Sequence, residues 1–184
     1  MFKFFKSGEY YPPVVPSLDL RLRIPFKKSK NWRVLNVGAG SGLSALALQL
    51  PFFHCKELTF LDVHQPYLDN AEARVYQAES TRFINGDIRT FQTFGFDLVL
   101  MFDILEHLPK HDSFKVLGDI RCAQVIFIPL EKAFRKNTFG AQSQDHLSLW
   151  TEDNFKIRGY KCEVLPNFHE EEGVRFDALW AIKY

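Results

Sequence analysis

The segment Val34-Leu35-Asn36-Val37-Gly38-Ala39-Gly40-Ser41-Gly42 constrains this chain more than any other. An apolar run, of the kind found in buried parallel strands, empties into a turn with glycine at three alternate positions. A small-residue helical pattern from Leu43 to Leu50 follows. Glycine opens backbone angles closed to other residues and lets a ligand lie against the main chain. A strand, a tight glycine turn and a helix start form a nucleotide-type site at the carboxyl edge of an open sheet.

From residue 32 onward the chain alternates strand and helix signals, which predicts an α/β fold with a doubly wound, mostly parallel sheet. Strands are expected at Arg33 to Val37, Glu57 to Leu61, Thr81 to Ile84, Phe96 to Phe102 and Val125 to Ile128. Two more are expected at Lys161 to Leu165 and Val174 to Lys183. Pro66 suits the first position of a helix over Tyr67 to Gln77, and another helix follows Pro109. Thr151 caps a short helix that Gly159 ends. The connection over residues 129–150 is long and mixed, a length that in such folds usually carries function. Residues 1–30, with Pro12, Pro13, Pro16 and Pro25, read as an irregular arm. Its Lys27, Lys28 and Lys30 form a solvated basic loop, with a phosphate-contacting patch as the other reading. Residues 31–184 are expected to form one domain, since 184 residues suffice for one well-packed α/β unit.

A net charge of +1 gives no global field that would favour nucleic acid. No apolar run approaches the roughly eighteen residues of a membrane span, and the lysine-interrupted start lacks a secretion signal's apolar core. Cys55, Cys122 and Cys162 have no metal-ligand spacing and read as reduced thiols, which leads to an expected cytoplasmic location.

Asp62, Asp87 and Asp103 each stand just past an expected strand, and in an open parallel sheet those ends line one crevice. Asp62 is placed to accept hydrogen bonds from both hydroxyls of a ribose. Asp87 lies one strand further out, where an adenine amino group would point. Helix capping or turn chemistry is the plainer reading of each acid taken alone. A dinucleotide fingerprint would need a small residue at the sixth position from Gly38, and Leu43 stands there. The G-x-G-x-G spacing present suits a ligand with an amino-acid moiety better than a pyrophosphate.

On these residues the sequence resembles the class I S-adenosylmethionine-dependent methyltransferases, and more closely those acting on small molecules, across about residues 32–184. Gly38, Gly40 and Gly42 match the family's first motif, with Asn36 and Ala39 beside them. Asp62, followed by Val63, matches the acid that holds the ribose, and Asp87 with Ile88 matches the adenine-contacting motif. The run Phe96 to Leu108, through Asp103, Glu106 and His107, is similar to the family's strand-four segment. Gln144 to Thr151, then Gly159-Tyr160, resembles the stretch that carries a histidine before the last helix. The resemblance implies a Rossmann-like sheet of seven strands, the last antiparallel and inserted beside the fifth. It implies S-adenosylmethionine as cofactor, bound by Asn36, Gly38, Ala39, Gly40, Gly42, Asp62, Val63, Asp87, Ile88 and Asp103. Asn36 departs from the family, which commonly has an acid there.

The activity so implied is transfer of a methyl group from the cofactor's sulfonium to a nucleophile, with a small-molecule acceptor. Orientation and exclusion of water carry most of the catalysis, and a base is needed only where the acceptor must lose a proton. His107, His146 and Asp103 are the candidate catalytic residues. His107 also reads as a structural residue orienting the strand-four loop, and His146 as a satisfied loop histidine. Asp103 also reads as a cofactor contact or an orderer of the loop. Glu106 pairs or caps, His111 is solvated, and Trp150, Phe139 and Phe134 pack the core or wall an acceptor. No metal is expected, since His64, Asp69 and Glu72 make no convincing ligand set. A non-catalytic methyltransferase-like binding protein and a nicotinamide-dependent oxidoreductase are the competing readings.

Overall fold

Arg33–Val37 forms strand β1, buried at four of its five positions, and Glu57–Asp62 forms β2 beside it. The computed structural model describes residues 31–40, 52, 55–76, 80–131, 134, 145–171 and 174–184. The arm over residues 1–30, the helix expected at Leu43 to Leu50, and Gly42, Phe139 and Gln144 lie outside the described residues. The remaining strands are β3 (Thr81–Asn85), β4 (Leu98–Phe102), β5 (Ala123–Leu130), β6 (Lys161–Glu171) and β7 (Val174–Lys183). Helix α1 spans Gln65–Arg74, a 3-10 turn spans Leu105–His107, α2 spans Lys110–Asp119 and α3 spans Glu152–Lys156.

The seven strands form one sheet in the order β3-β2-β1-β4-β5-β7-β6. The first five pair in parallel, and β7 runs antiparallel to both β5 and β6. This is the expected doubly wound sheet with its last strand reversed and inserted beside the fifth. Successive residues of a strand face opposite sides. Val34, Phe60, Leu100, Phe127 and Trp180 fill a core on one face, while Leu35, Leu61, Met101, Ile128 and Leu179 fill a second core. Burial on both faces is why β4 and β5 read as unbroken apolar runs. Each fully buried phenylalanine, such as Phe60 or Phe127, contributes about 1.5–3 kcal/mol.

Several boundaries differ from the expectation: β2 and β3 each run one residue further, to Asp62 and Asn85, and β5 extends two residues at each end, to Ala123 and Leu130. Strand β4 starts at Leu98 because Asp97 turns the chain: Arg33 N–H donates to Asp97 Oδ2 at 2.7 Å and Asp97 N–H donates to Arg33 O at 2.8 Å. Helix α1 stops at Arg74, where Val75 becomes extended. Strand β6 continues past Leu165 to Glu171 through a register shift between Leu165 and His169. Thr151 does open α3, Asn154 Oδ1 accepts its main-chain N–H at 3.1 Å, and Gly159 follows with a φ of 82°. Among the described residues no helix is long and apolar enough to cross a membrane. The three cysteines are free thiols.

Candidate active site

The turn after β1 is built on left-handed backbone. Gly38 has φ 87° and Gly40 has φ 56°, values that cost L-residues about 1–2 kcal/mol. Gly38 is also short of room: a Cβ there would stand 2.2 Å from Ile104 Cδ1. Its N–H donates to Leu61 O at 2.7 Å, which ties the turn to β2. The buried Asn36 donates from Nδ2 to Gly38 O at 2.9 Å, so its amide braces the turn from below.

Asp62, the last residue of β2, receives one main-chain N–H on each oxygen. Ala39 N–H donates to Oδ2 at 2.7 Å and His64 N–H donates to Oδ1 at 2.8 Å. A carboxylate offers about four lone-pair sites, so acceptor capacity remains on both oxygens. Asn85 Nδ2 donates to the carbonyls of Asp62 and Val63, both at 3.1 Å, and fixes the start of this loop from β3. The Val63 side chain is exposed beside it. Asp87 is engaged by Arg89, whose Nε donates to Oδ2 at 2.9 Å and whose N–H donates to Oδ1 at 2.8 Å. The hydrogen-bonding guanidinium holds the Asp87 carboxyl below the usual carboxylate range. Arg89 also reaches Asp112 of α2 at 3.5 Å, and the neighbouring Ile88 is buried.

A second group of side chains gathers at the ends of β4 and β5. Asp103, directly after β4, has φ 51°, and its N–H donates to Phe127 O at 2.9 Å. Both its carboxylate oxygens are buried with no hydrogen-bond partner among the described residues. Glu106, in the 3-10 turn, is 1% exposed, and both its carboxylate oxygens likewise lack a partner there. Burial, followed by the charge of Glu131, pushes the Asp103 carboxyl up to about 8. Burial, with Asp103 and Glu131 nearby, lifts Glu106 well above the ordinary range.

The segment 145–150 is stitched onto the 3-10 turn. Leu147 and Ser148 N–H groups donate to Glu106 O at 2.6 and 3.1 Å, and Ser148 Oγ donates to Leu105 O at 2.9 Å. Trp150 Nε1 donates to Ser148 Oγ at 2.9 Å while its ring stacks on Phe155, which makes it a core residue. This stitching brings His146 against His107, with ring centroids 4.8 Å apart and planes at 80°. His107 Nδ1 lies 3.2 Å from Asp145 O, and His146 Nδ1 lies 2.6 Å from Glu131 Oε2.

The structure therefore assembles the candidate catalytic residues Asp103, His107 and His146 in one place, and adds two acids to them. Glu106 is inside the cluster rather than on a cap. Glu131 had no place among the sequence candidates. Its signal was positional, since it directly follows β5 as Asp103 directly follows β4. Ile104, packed on Gly38, joins this cluster to the glycine turn, so both groups share the carboxyl edge of the sheet. His111 is solvated as expected, and Phe134 is exposed.

Comparison with known proteins follows the same edge. Residues 34–123 match the model of a methyltransferase domain. The N-methyltransferase NodS from Bradyrhizobium japonicum WM9 aligns over 93% of this chain and 95% of its own, with 18% identity and a TM-score of 0.63. That protein is also known in complex with S-adenosyl-L-homocysteine. The CurJ carbon methyltransferase aligns over 92% of this chain and 53% of its own, with 14% identity and a TM-score of 0.64. Magnesium protoporphyrin IX methyltransferase from Synechocystis PCC 6803, with bound S-adenosyl-L-homocysteine, aligns over 93% of this chain and 81% of its own, with 14% identity and a TM-score of 0.61. Among curated protein sequences none matches. The glycine turn pinned to the acid of the second strand, the reversed seventh strand and the domain match agree: residues 34–123 carry a methyltransferase domain, and the chain has the fold of the methyltransferases it aligns with.

Proposed function

We propose that this protein binds S-adenosylmethionine along the Gly38–Gly40 turn and Asp62 and transfers its methyl group to a small-molecule nucleophile. The observation that carries this is the Ala39-to-Asp62 hydrogen bond at 2.7 Å, which holds bare main chain and a ribose-accepting carboxylate in one rigid unit. Val63, exposed next to Asp62, offers an apolar face to a nucleoside base. Asp87 completes that end, where Arg89 fixes its orientation. The methyltransferase-domain match and the neighbours with bound S-adenosyl-L-homocysteine support the choice of methyl donor. A reducing, cytoplasmic compartment suits the three free thiols.

In the reaction, the acceptor's lone pair forms the new bond to the methyl carbon while the sulfonium–carbon bond breaks. The sulfur leaves as a neutral thioether in S-adenosylhomocysteine. Asp103, His107 and His146 lie across the edge from the turn, where the acceptor would approach. The His146–Glu131 pair is built to take a proton from an alcohol acceptor, because the carboxylate steadies the imidazolium that forms. The neighbours methylate nitrogen and carbon, so the fold leaves the acceptor atom to this chain's own side chains.

Isothermal titration with S-adenosylhomocysteine, paired with a turnover assay against a library of small alcohols and amines, tests the proposal. Micromolar binding and release of S-adenosylhomocysteine under turnover are expected. Binding without turnover across the library would favour a non-catalytic module. Tight binding of a reduced nicotinamide in place of the adenosyl compound would overturn the reading.

A further inference from the structure

We propose that Glu106, His107 and His146 form a binding site for a first-row transition-metal dication in the manganese-to-zinc range, with Asp103 beside it and Glu131 as its outer support. The site goes beyond methyl transfer: it draws His107 and His146 from the candidate catalytic group, stands apart from the glycine turn and Asp62, and with a metal bound makes His146 Nε2 a ligand in place of a base. One ligand atom from each of Glu106, His107 and His146 lies within 4.8 Å of the other two. Ligand atoms about 2.0–2.2 Å from a metal stand at most about 4.4 Å apart, so small side-chain adjustments close the set.

Two observations point to a cation rather than to a chance gathering of acids. Glu106 is 1% exposed, both its oxygens lack a hydrogen-bond partner among the described residues, and it faces two imidazoles. A carboxylate stripped of water and unbonded is costly unless it is paired, protonated or bound to metal. Both oxygens of Asp103 share that condition in the same pocket.

The second observation is the tautomer of each histidine. Asp145 O can only accept, so His107 Nδ1 carries the hydrogen and Nε2 carries the lone pair. With Glu131 Oε2 accepting from His146 Nδ1 at 2.6 Å, the His146 lone pair falls on Nε2 as well. A carboxylate or carbonyl behind Nδ1 is how metal-bound histidines are oriented and made more basic. The donor set selects the metal: imidazole nitrogen suits transition metals, whereas magnesium prefers an all-oxygen shell.

The experiment uses the full chain, treated with EDTA and desalted, then titrated with cobalt(II), manganese(II), zinc(II) and magnesium(II) salts. Visible d–d absorption of bound cobalt, calorimetry and the shift in thermal midpoint are the readouts. One equivalent of cobalt per chain is expected, with magnesium binding more weakly. Glu106→Gln and His146→Asn should each weaken binding at least about 100-fold, and Glu131→Gln about 10–100-fold. Asp62→Ala should bind cobalt like the parent, because it touches only the proposed cofactor site. The parent chain alone decides the matter if a variant fails to fold. No cobalt bands and no midpoint shift in a parent that binds S-adenosylhomocysteine would overturn the site. So would cobalt binding of equal strength in folded Glu106→Gln and His146→Asn. A parent that binds cobalt but not S-adenosylhomocysteine would keep the metal site and overturn the cofactor reading.

Discussion

Ala39 N–H and Asp62 Oδ2 lie 2.7 Å apart across two neighbouring strands, so the glycine turn and the acid at the end of β2 move as one piece. Asp62→Ala removes the ribose acceptor and the anchor of the turn together. Its affinity for S-adenosylhomocysteine should fall by about 1.5–3 kcal/mol, the range for hydrogen bonds to charged groups. Calorimetry on a variant whose circular dichroism matches the parent checks this, and an unchanged Kd would remove Asp62 from the cofactor site.

Gly38→Ala should destabilise the fold by two separable effects. The left-handed φ of 87° costs about 1–2 kcal/mol for any L-residue. Overlap with Ile104 Cδ1, 2.2 Å from the added carbon, adds about 1–3 kcal/mol. Gly38→Ala combined with Ile104→Ala should lose the second cost relative to Ile104→Ala alone and keep the first. A double-mutant cycle in urea denaturation measures the difference.

His169 supplies the acid sensitivity. It is 2% exposed and packs among Phe127, Phe168 and Phe176, and this burial pushes its imidazole down to about 4. With the folded value below the unfolded value of about 6.5, the unfolded chain takes up the proton first as pH falls. Stability is therefore complete above about pH 6.5 and drains away toward pH 4, by roughly 3 kcal/mol from this residue. Thermal midpoints of His169→Phe should decline less steeply across that window than those of the parent, and equal slopes would exclude His169 as the cause.

Tyr160 holds a buried relay. Its hydroxyl donates to Gln124 Oε1, and Gln124 Nε2 donates to the carbonyls of Leu117 and Ile120 at the end of α2. Tyr160→Phe leaves a buried amide oxygen without its donor and should cost about 1–3 kcal/mol in chemical denaturation. Because the relay lies away from the glycine turn, S-adenosylhomocysteine affinity should be unchanged in calorimetry.

The parts of this fold that could be read from the sequence were those with a local cause. The glycines and the apolar runs of β1, β4 and β5 carry their geometry in themselves, and the turn at Gly38 to Gly40 and the strand-end position of Asp62 followed from them. Strand β6 did not, because Pro166 and Asn167 look like a stop. The chain passes through them by a bulge in which Asn167 takes φ 52° and donates its N–H to Asp177 Oδ1 at 2.8 Å. That partner lies on the next strand, so no window around residue 167 contains it. Glu131 stayed hidden for the same reason. Its meaning comes from His146, fifteen positions away, which meets it through Nδ1. Asp87 was legible as a strand-end acid, but its engagement by Arg89 was not, since a nearby opposite charge is common without a contact.

The insertion of β7 between β5 and β6 orders assembly in time. Strand β6 precedes β7 in the chain, yet among the described residues β7 is its one neighbour in the sheet. It gains its pairing in the sheet only when β7, the later segment, is in place. Phe127 and Ile128 on β5 therefore gain their pairing on that side only once β7, the later segment, has crossed between β5 and β6.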